Sequence, residues 1–368
     1  MAVKTTYSSN PQIYPAVNEI KERIGNIKSK AIIYFASSQY EPNELADTMQ
    51  SAFPEALTFG CTTAGELISG AMLKNSIVVM AFDGDSISDI KAVVMKDIKR
   101  GNTVREAFRC FESHFGESMM DMNVANYAGI ILVDGLSGKE EEIMDTIGDL
   151  TNVMFVGGSA GDDLKFNSTY VFAKGKAYTN AALLVLFKPA AGFSILKTQS
   201  FDVLDRTLVA NKVNEAERTV LEFNGKPAVE AYAGALGVSP ETADKYFMSN
   251  PVGLMMGDEP YVRSPQRVAG GKMVFYCNVL EGMELSLLKS GDIVKKTRDD
   301  LTHALEELNG ASGIINFHCI LRTLQLENED KPQEYADIFT DIPTIGFSTY
   351  GEEYIGHINQ TSTMLLIK

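Results

Sequence analysis

A Gly-x-Ser-x-Gly pentapeptide at residues 157–161 is the first feature of the sequence that could carry chemistry. In α/β-hydrolases this pattern sets a serine at a sharp turn between a strand and a helix, and an acid and a histidine later in the chain activate it. The residues after Ser159 read AGDDLKFNSTYVF, which predicts turns and then a strand rather than a helix. A serine or cysteine hydrolase that uses this loop is therefore a lesser alternative, with a histidine from His303, His318 and His357.

Cysteine and histidine, the other residues that act as nucleophiles or metal ligands, are few. The four cysteines form no C-x-x-C pair and the four histidines form no H-E-x-x-H motif, so we expect no metal site. Cys61 and Cys319 end predicted strands, and either could be a reactive thiol. No histidine or lysine stands beside Cys61 to activate it, and His318 should point to the opposite face of its strand from Cys319.

Hydroxyls, carboxylates and arginines follow several predicted strands, a set that suits a small polar ligand carrying both charges. Arg322 or Arg263 would bind a carboxylate, because each interrupts an apolar, strand-like context. Asp134, Glu66 or Asp162 would bind an ammonium; in the alternative, the acids accept local backbone N–H groups and only close turns. The candidate ligand-binding residues are Cys61, Thr62, Thr63, Glu66, Asp134, Gly158, Ser159, Asp162, Arg263, Cys319, Arg322, Thr349 and Glu352.

Three stretches of the sequence resemble one another and hold most of these candidates. Each reads as an apolar strand, an amphipathic helix, an apolar strand, a loop of small residues ending in Gly-acid, and a further apolar strand. Aligned without gaps, loops 63–66, 159–162 and 349–352 coincide, which sets Ser159 over Thr63 and Thr349. We interpret the stretches as repeats of one unit, in which the glycines serve tight turns.

The elements of each repeat predict how the candidates are positioned. Strands that alternate with helices indicate β-α-β units, with two parallel strands per repeat. The later strands lie close in sequence and should pair antiparallel, 77–82 with 89–95 and 170–173 with 181–187. We therefore expect an α/β (mixed α+β) fold of two domains, with mixed sheets flanked by helices and built from repeated strand-helix-strand-strand units. Ligands bind such sheets at the carboxyl edge of the parallel strands.

The region between the second and third repeats, about residues 205–310, differs from the repeats. A polar stretch at 204–218 is interpreted as a linker, and we place the domain boundary near residue 204. The first domain, 1–204, then holds two repeats, and the second, 205–368, holds the inserted region and the third repeat. We expect the small polar ligand to bind between these domains.

Composition and charge exclude several classes of function. A formal charge of −15 over 368 residues opposes binding to nucleic acid or to anionic membrane surfaces. The longest apolar runs are far shorter than the roughly 20 residues that span a bilayer. The N-terminal residues show no continuous apolar segment of a signal peptide, so we expect a cytoplasmic protein that does not insert into membranes.

The motifs resemble the FIST domain family along nearly the whole chain. FASSQY with FGCTTAGEL, and VDGLS with VGGSAGDD, are similar to the FIST N-terminal domain. NGKPAVEAYAGALG, NPVGL, VRSP, CILR, GFSTYGE and HINQT, in this order, are similar to the FIST C-terminal domain. Carried onto this sequence, the family's motif positions are Cys61, Thr62, Gly65, Glu66, Asp134, Gly157, Gly158, Gly161, Asp162, Arg263, Cys319, Arg322, Glu334, Gly346, Gly351, Glu352, Gln360 and Thr361.

The resemblance implies an intracellular sensory protein rather than an enzyme. FIST domains are regarded as sensors of small molecules, amino acids among them, and they neighbour kinases, cyclic-di-nucleotide enzymes or chemoreceptors in signalling systems. One branch is described as haem-binding nitric-oxide sensors. We expect no resident cofactor; haem is the alternative, with His318 or His357 as its axial ligand. Because nothing in the sequence is left for an output domain, the signal is expected to pass to a separate partner protein such as a kinase.

Overall fold

The computed structural model describes residues 3–101 and 103–368, which form two compact units. Unit 1 takes in the described residues up to Thr198, together with Thr297–His357 and Ser362–Lys368. Unit 2 takes in Gln199–Lys296 and Ile358–Thr361. These units divide the chain differently from the sequence halves 1–204 and 205–368, because the third repeat belongs to the same unit as the first two.

The helices follow the apolar periodicity of the sequence. In the first of them, Ile13, Val17, Ile20 and Ile24 are buried on one face, as a helix that covers a sheet requires. The described helices are α1 (Ile13–Ile24), α2 (Pro42–Ala52), α3 (Val104–Phe115), α4 (Glu140–Leu150), α5 (Ala228–Leu236), α6 (Ile293–Leu308), α7 (Ile320–Asn328) and α8 (Pro332–Ala336), with 3₁₀ turns at Glu215–Glu217, Pro240–Tyr246 and Asp337–Phe339. The division between the two units falls within α6.

The described part of unit 1 contains three six-stranded sheets with the same order of strands. The first sheet consists of β1 (Val3–Ser8), β6 (Ile77–Asp83), β2 (Ser29–Ser37), β3 (Leu57–Thr63), β10 (Val171–Ala173) and β11 (Lys176–Tyr178). The second consists of β7 (Ile87–Lys96), β12 (Ala181–Pro189), β8 (Ala128–Val133), β9 (Phe155–Ser159), β24 (Glu352–Tyr354) and β25 (His357–Ile358). The third consists of β13 (Phe193–Thr198), β26 (Ser362–Ile367), β22 (Gly313–Cys319), β23 (Thr344–Thr349), β4 (Glu66–Ile68) and β5 (Ala71–Leu73).

Each sheet is mixed, as the sequence predicts. The two strands on either side of the first helix of a repeat are parallel in all three copies, β2 with β3, β8 with β9 and β22 with β23. The last strand of each repeat, β6, β12 or β26, pairs antiparallel with the first. The mixed α/β fold with repeated units is therefore confirmed.

The short hairpins after the Gly-acid loops are exchanged among the repeats in a cycle. Hairpin β4–β5 of the first repeat extends the third sheet by pairing with β23. Strand β24 of the third repeat pairs with β9 in the second sheet, and hairpin β10–β11 of the second repeat pairs with β3 in the first. Every sheet thus ends in strands from another repeat, so the three repeats fold as one unit.

One apolar core lies among the three sheets. It contains side chains from all of them, and Phe35 of the first sheet lies 4.5 Å from Phe347 of the third, measured between ring centroids. Helices α1 and α2 cover the outer face of the first sheet, and α3 and α4 cover that of the second, each with its own apolar cluster. The outer face of each sheet therefore meets helices, and the outer face of the third sheet meets α7 and α8.

Two predicted strand pairings are wrong. The strands at 77–82 and 89–95 lie in different sheets, as β6 and β7, and so do those at 170–173 and 181–187, as β10 and β12. Strand β7 pairs instead with β12, and β10 with β3. Closeness in sequence favoured the local pairs, but the exchange of hairpins among repeats makes the pairing non-local.

The gap-free alignment of the second repeat is also wrong, by one residue. Gly60, Gly157 and Gly346 occupy the same place in the three sheets, because a Cβ on each would meet the backbone oxygen of the neighbouring parallel strand at 1.7, 1.7 and 2.3 Å. This register sets Ser159 over Thr62 and Ser348, on the helix-covered face, and not over Thr63 and Thr349.

Unit 2 is built on an eight-stranded antiparallel sheet. Its strands are β14 (Phe201–Asn214), β15 (Thr219–Phe223), β16 (Lys226–Pro227), β17 (Val252–Met256), β18 (Glu259–Arg263), β19 (Pro265–Ala269), β20 (Lys272–Phe275) and β21 (Glu284–Ser290). The linker predicted at 204–218 is wrong, since most of it forms β14, whose polar residues alternate with buried Leu208 and Ala210. Helix α5 packs on this sheet through Tyr232 and ends at Gly237. None of the described helices is long and apolar enough to cross a membrane.

Candidate functional site

Arg322 is the centre of the candidate site, which lies in the third repeat of unit 1. Strand β22 ends at Cys319 and α7 begins at the next residue, so Arg322 stands in the first turn of the helix. The arginine is only 2% exposed, and it is the largest of the fully buried side chains. A buried charge is costly unless it is paired, so its partners decide what the residue does.

The guanidinium has few partners within the protein. Its Nη2 donates to the Thr297 hydroxyl at 2.8 Å, and its carbon lies 5.9 Å from the ring centre of Tyr335. Its Nε and Nη1 are buried and bond to no other group among residues 3–101 and 103–368. The first turn of α7 holds no acid, and the helix N-terminus is itself positive, which raises the free energy of the charge further.

His318 adds another unbonded polar atom beside Arg322. Both side chains contact the ring of Tyr335, whose centroid lies 4.6 Å from that of the imidazole. Burial, and then the charge of Arg322, hold the pKa of His318 well below its ordinary value, so the ring is neutral. Its Nε2 is buried and has no hydrogen-bond partner in the part of the chain that the structure describes.

A chain of hydrogen bonds fixes which nitrogen of His318 carries the proton. Ser362 donates to the Asn316 carbonyl at 2.7 Å, and Asn316 Nδ2 donates to the Tyr335 hydroxyl at 3.2 Å. The Tyr335 hydroxyl then has two acceptors in reach, His318 Nδ1 at 3.0 Å and the Ser362 hydroxyl at 3.5 Å. We assign its proton to the shorter contact, which leaves the imidazole proton on Nε2. The unbonded atoms of Arg322 and His318 are therefore all donors, and the partner they lack is an acceptor.

Comparison among the three repeats shows that this polar set is special to the third. The pairing registers give each position on the helix-covered face of β22 and β26 an equivalent in the other two sheets. Where the third repeat has Asn316, His318 and Ser362, the first has Tyr34, Ala36 and Ile77, and the second has Ile131, Val133 and Ala182. The same fold is built twice with apolar side chains here, so the buried polar set is not a requirement of the fold.

The predicted site residues of the first repeat make hydrogen bonds or packing contacts within the protein. Glu66 accepts from the Thr63 hydroxyl and from both the N–H and the hydroxyl of Ser76, and burial raises its pKa to about 7. Cys61 is buried in the core, and burial raises the pKa of its thiol well above the ordinary value. Thr62 exchanges hydrogen bonds with the backbone of Tyr170. These contacts match the alternative in which the Gly-acid loop closes a turn.

The two predicted acids of the second repeat are likewise saturated. Asp134 accepts from the backbone N–H of Leu136 and Asn180 and from the hydroxyls of Thr169 and Thr179. Asp162 has four donors of its own, three consecutive backbone N–H groups and a tyrosine hydroxyl, given by Phe166, Asn167, Ser168 and Tyr350. With two acceptor oxygens each and four donors, neither carboxylate has capacity left for an ammonium.

The other predicted residues lie outside the Arg322 site. Thr349 holds the exchanged hairpin, with its hydroxyl 2.7 Å from the Ser159 carbonyl, and a Cβ at Gly158 would lie 2.6 Å from that hydroxyl. Glu352 is fully buried in β24 opposite Gly158. Cys319 is a buried residue at the end of β22, and Arg263 ends β18 of unit 2.

Ser159 does not have the surroundings of a hydrolase nucleophile. No helix follows it directly, since residues 160–170 form turns and irregular chain, as the sequence predicts. Its hydroxyl lies 3.3 Å from Glu353 and 3.4 Å from Glu140, and the same Glu353 oxygen lies 3.0 Å from His357 Nδ1. A serine nucleophile needs an imidazole on its hydroxyl and the acid behind the imidazole, whereas here the acid lies between them.

This buried pair predicts a pH dependence of stability. Burial alone would lower the pKa of His357, but the charges of Glu353 and then Glu141 outweigh it and raise the pKa to about 9. A histidine whose pKa is raised on folding stabilises the protein fully below about pH 6.5, and this stabilisation is lost as the pH rises to about 9. We expect urea unfolding to show a loss on the order of 1–3 kcal/mol over that range.

A matched pair of variants checks the assignment to His357. Glu66, with a pKa of about 7, also contributes to the decline below about pH 8, so the two variants are compared above it. In His357→Gln the decline between about pH 8 and 9 should be absent, whereas His303→Gln, which removes an exposed histidine, should retain it. An unchanged decline in His357→Gln would show that another group titrates in this range.

The surroundings of the two candidate axial histidines do not fit haem. Haem needs a neutral imidazole in an apolar cavity. His318 is neutral, but the groups around it are the Arg322 charge and the hydrogen-bonded Tyr335. His357 is held as an imidazolium by Glu353, and in that form its nitrogens carry protons. The residues suit an anion at His318 better than a porphyrin.

Most residues of the Arg322 site other than the arginine are missed by reasoning from sequence. Thr297 and Tyr335 come from α6 and α8, away from the Gly-acid loops. Asn316 lies inside an apolar run, and Ser362 lies in the polar stretch 359–363 where the last strand begins. One signal could have found the last two. In the repeat alignment, polar residues replace apolar ones on the helix-covered face of the third copy only.

Comparison with known proteins agrees with the motifs. Residues 30–226 match the model of the FIST N domain, and residues 228–354 match that of the FIST C domain. The uncharacterized protein MJ1623 of Methanocaldococcus jannaschii is 24% identical over 306 residues, an alignment that covers 76% of this chain and 57% of that relative. The chain thus matches little more than half the length of this relative. With both domains present in order along most of its length, the protein belongs to the FIST family, whose domains are associated with sensing and signalling.

Proposed function

We propose that this protein is a sensor of a small carboxylate, an amino acid or a similar molecule, which it binds through Arg322. The observation that carries the proposal is the buried guanidinium whose Nε and Nη1 bond to nothing in residues 3–101 and 103–368, next to the unbonded Nε2 of a neutral His318. The cytoplasmic location, and a signal passed to a separate partner such as a kinase, are parts of the same proposal.

A carboxylate is the ligand that best matches these groups. Guanidinium and imidazole N–H groups are donors, and a carboxylate offers two acceptor oxygens together with the charge that Arg322 lacks. Binding of an anion would offset both the buried charge and the unfavourable position at the start of α7. A neutral ligand would fill the hydrogen bonds but leave the charge unpaired.

The proposal is tested first on the freshly purified protein, by comparing its native and denatured masses and recording its visible spectrum. We expect a loss of a few hundred daltons or less and no Soret band. Titration calorimetry with L-amino acids, acetate and succinate should then find at least one ligand. The same compounds as amides, which lack the negative charge, should bind at least tenfold more weakly, since a charge-assisted bond contributes about 1.5–3 kcal/mol.

Other results would contradict the proposal. A loss of haem size with a Soret band would favour the gas-sensor alternative and an axial histidine. Equal affinity for an acid and its amide would show that Arg322 does not bind the carboxylate. Binding that is unaffected by substitution of Arg322 would place the ligand elsewhere.

A further inference from the structure

Asn359 is a buried amide with no partner. The residue is 1% exposed, and neither its Nδ2 nor its Oδ1 has a hydrogen-bond partner among the residues that the structure describes. An amide carries two N–H donors and a carbonyl acceptor, and burial of all of them without partners is strongly unfavourable. Native proteins leave few such groups, and each requires a reason.

The chain around Asn359 is fixed in position by its neighbour. Gln360 has a φ of 51°, in the left-handed region that side chains other than glycine and asparagine rarely adopt. Its side chain accepts from the Ser264 hydroxyl at 2.7 Å and donates to the Met248 carbonyl at 2.8 Å, all within unit 2. The backbone of Asn359 is therefore held by specific bonds, while its own side chain makes none.

The repeats again provide an internal comparison. Asn75 and Asn180 occupy the place of Gln360, two residues before the last strand of the repeat begins to pair with the first, and have φ of 56° and 48°. The residues before them, Lys74 and Thr179, are exposed, and their polar groups have partners in Glu327 and Asp134. Only the third copy buries this position, and there it has a side chain that offers both a donor and an acceptor.

We infer that Asn359 is a ligand-contacting residue, and that its amide bonds a small molecule presenting a donor next to an acceptor. Primary carboxamides and nucleobases both present such an edge, and asparagine pairs with it through two hydrogen bonds. The inference stands apart from the carboxylate bound by Arg322, because it rests on a different residue in a different unit and on neutral rather than ionic chemistry.

The test uses the leucine variant, which has nearly the same volume and no polar atom. Asn359→Leu removes the buried unbonded groups, so we expect the melting temperature of the ligand-free protein to rise by about 2–4 °C. Wild-type protein should gain thermal stability from propionamide or from adenine, two sources of the same edge that carry no carboxylate for Arg322. N,N-dimethylpropionamide, which lacks the N–H donor, should give no gain. In Asn359→Leu the gain should be absent, and Asn359→Asp, which loses the donor, should bind at least tenfold more weakly.

Each other outcome overturns the inference. A lower melting temperature for ligand-free Asn359→Leu would show that the amide is already bonded in the protein, to water or to the chain. An unchanged gain with the probe in that variant would place binding elsewhere. No gain with either probe in the wild type would exclude this ligand class. Asn152→Leu, at an exposed asparagine, controls for the chemical change and should keep the full gain with the probe.

Discussion

Replacing Arg322 by methionine should make the ligand-free protein more stable and at the same time abolish carboxylate binding. A buried charge without an ionic partner destabilises the folded state, and apolar replacements of buried charged groups have been neutral or stabilising by about 1–4 kcal/mol. Methionine fills most of the same volume, and the loss is one bond to Thr297 and one contact with the Tyr335 ring. If Arg322 were required for the fold, its replacement by methionine would lower the free energy of unfolding.

Urea unfolding and titration calorimetry measure the two effects separately. We expect Arg322→Met to bind the carboxylate at least tenfold more weakly, and Arg322→Lys to be intermediate, because lysine retains the charge without the planar set of donors. Arg298→Met removes the same charge from an exposed position of α6 and should change neither quantity by more than about 0.5 kcal/mol. A clear loss of stability in Arg322→Met would mean that the arginine supports the fold.

Reasoning from sequence reached Arg322 but could not tell it from the other charged candidates. A charge at the end of an apolar strand is visible in the sequence, whereas the bonds that saturate Asp134 and Asp162 come from loops up to 188 residues away. Those distant donors decide which candidates are free to bind a ligand. Glu66 and Asp162, the acids of the first two Gly-acid loops, accept hydrogen bonds that close these loops, and the arginine is left with unbonded donors.

The repeat pattern predicted most of the fold, because apolar periodicity reports directly on strands and helices. It predicted the parallel pair of each repeat and the mixed sheets, but not the antiparallel partner of the last strand. It could not predict the exchange of hairpins, since β4 and its partner β23 are separated by more than 270 residues. Pairing over such a distance depends on the assembled sheets and leaves no local signal.

The sequence carries a local signal for the register of the second repeat, in the glycines of the second strand of each repeat. Gly60, Gly157 and Gly346 share one requirement, the close approach of a parallel neighbour, and aligning them would have set the register. The gap-free alignment followed the Gly-acid loops instead, where the second repeat is longer. A shift of one residue moves every side chain to the other face of a strand, so the gap-free alignment matches Ser159 to residues whose side chains lie on the opposite face.

Gly157→Ala should be among the most destabilising single substitutions in unit 1. The added methyl group would lie 1.7 Å from the carbonyl oxygen of Ile131 and 2.7 Å from its carbon. Both atoms belong to the backbone of β8, which is paired with β9 on one side and with β12 on the other, so neither can move away without breaking a ladder. We expect a loss of at least about 3 kcal/mol, enough to leave much of the protein insoluble.

The equivalent positions and a helical glycine make this prediction specific. Gly60→Ala meets the carbonyl of Tyr34 at the same 1.7 Å and should be equally severe, as the shared register requires. Gly148→Ala, in α4 with nothing within 4 Å of the new methyl group, should stabilise the protein by up to about 1 kcal/mol. The soluble yield and the free energy of urea unfolding of the three variants test this prediction. If Gly157→Ala were tolerated while Gly60→Ala was not, the register would not be shared by the repeats, and the comparison that singles out His318 and Asn316 would lose its basis.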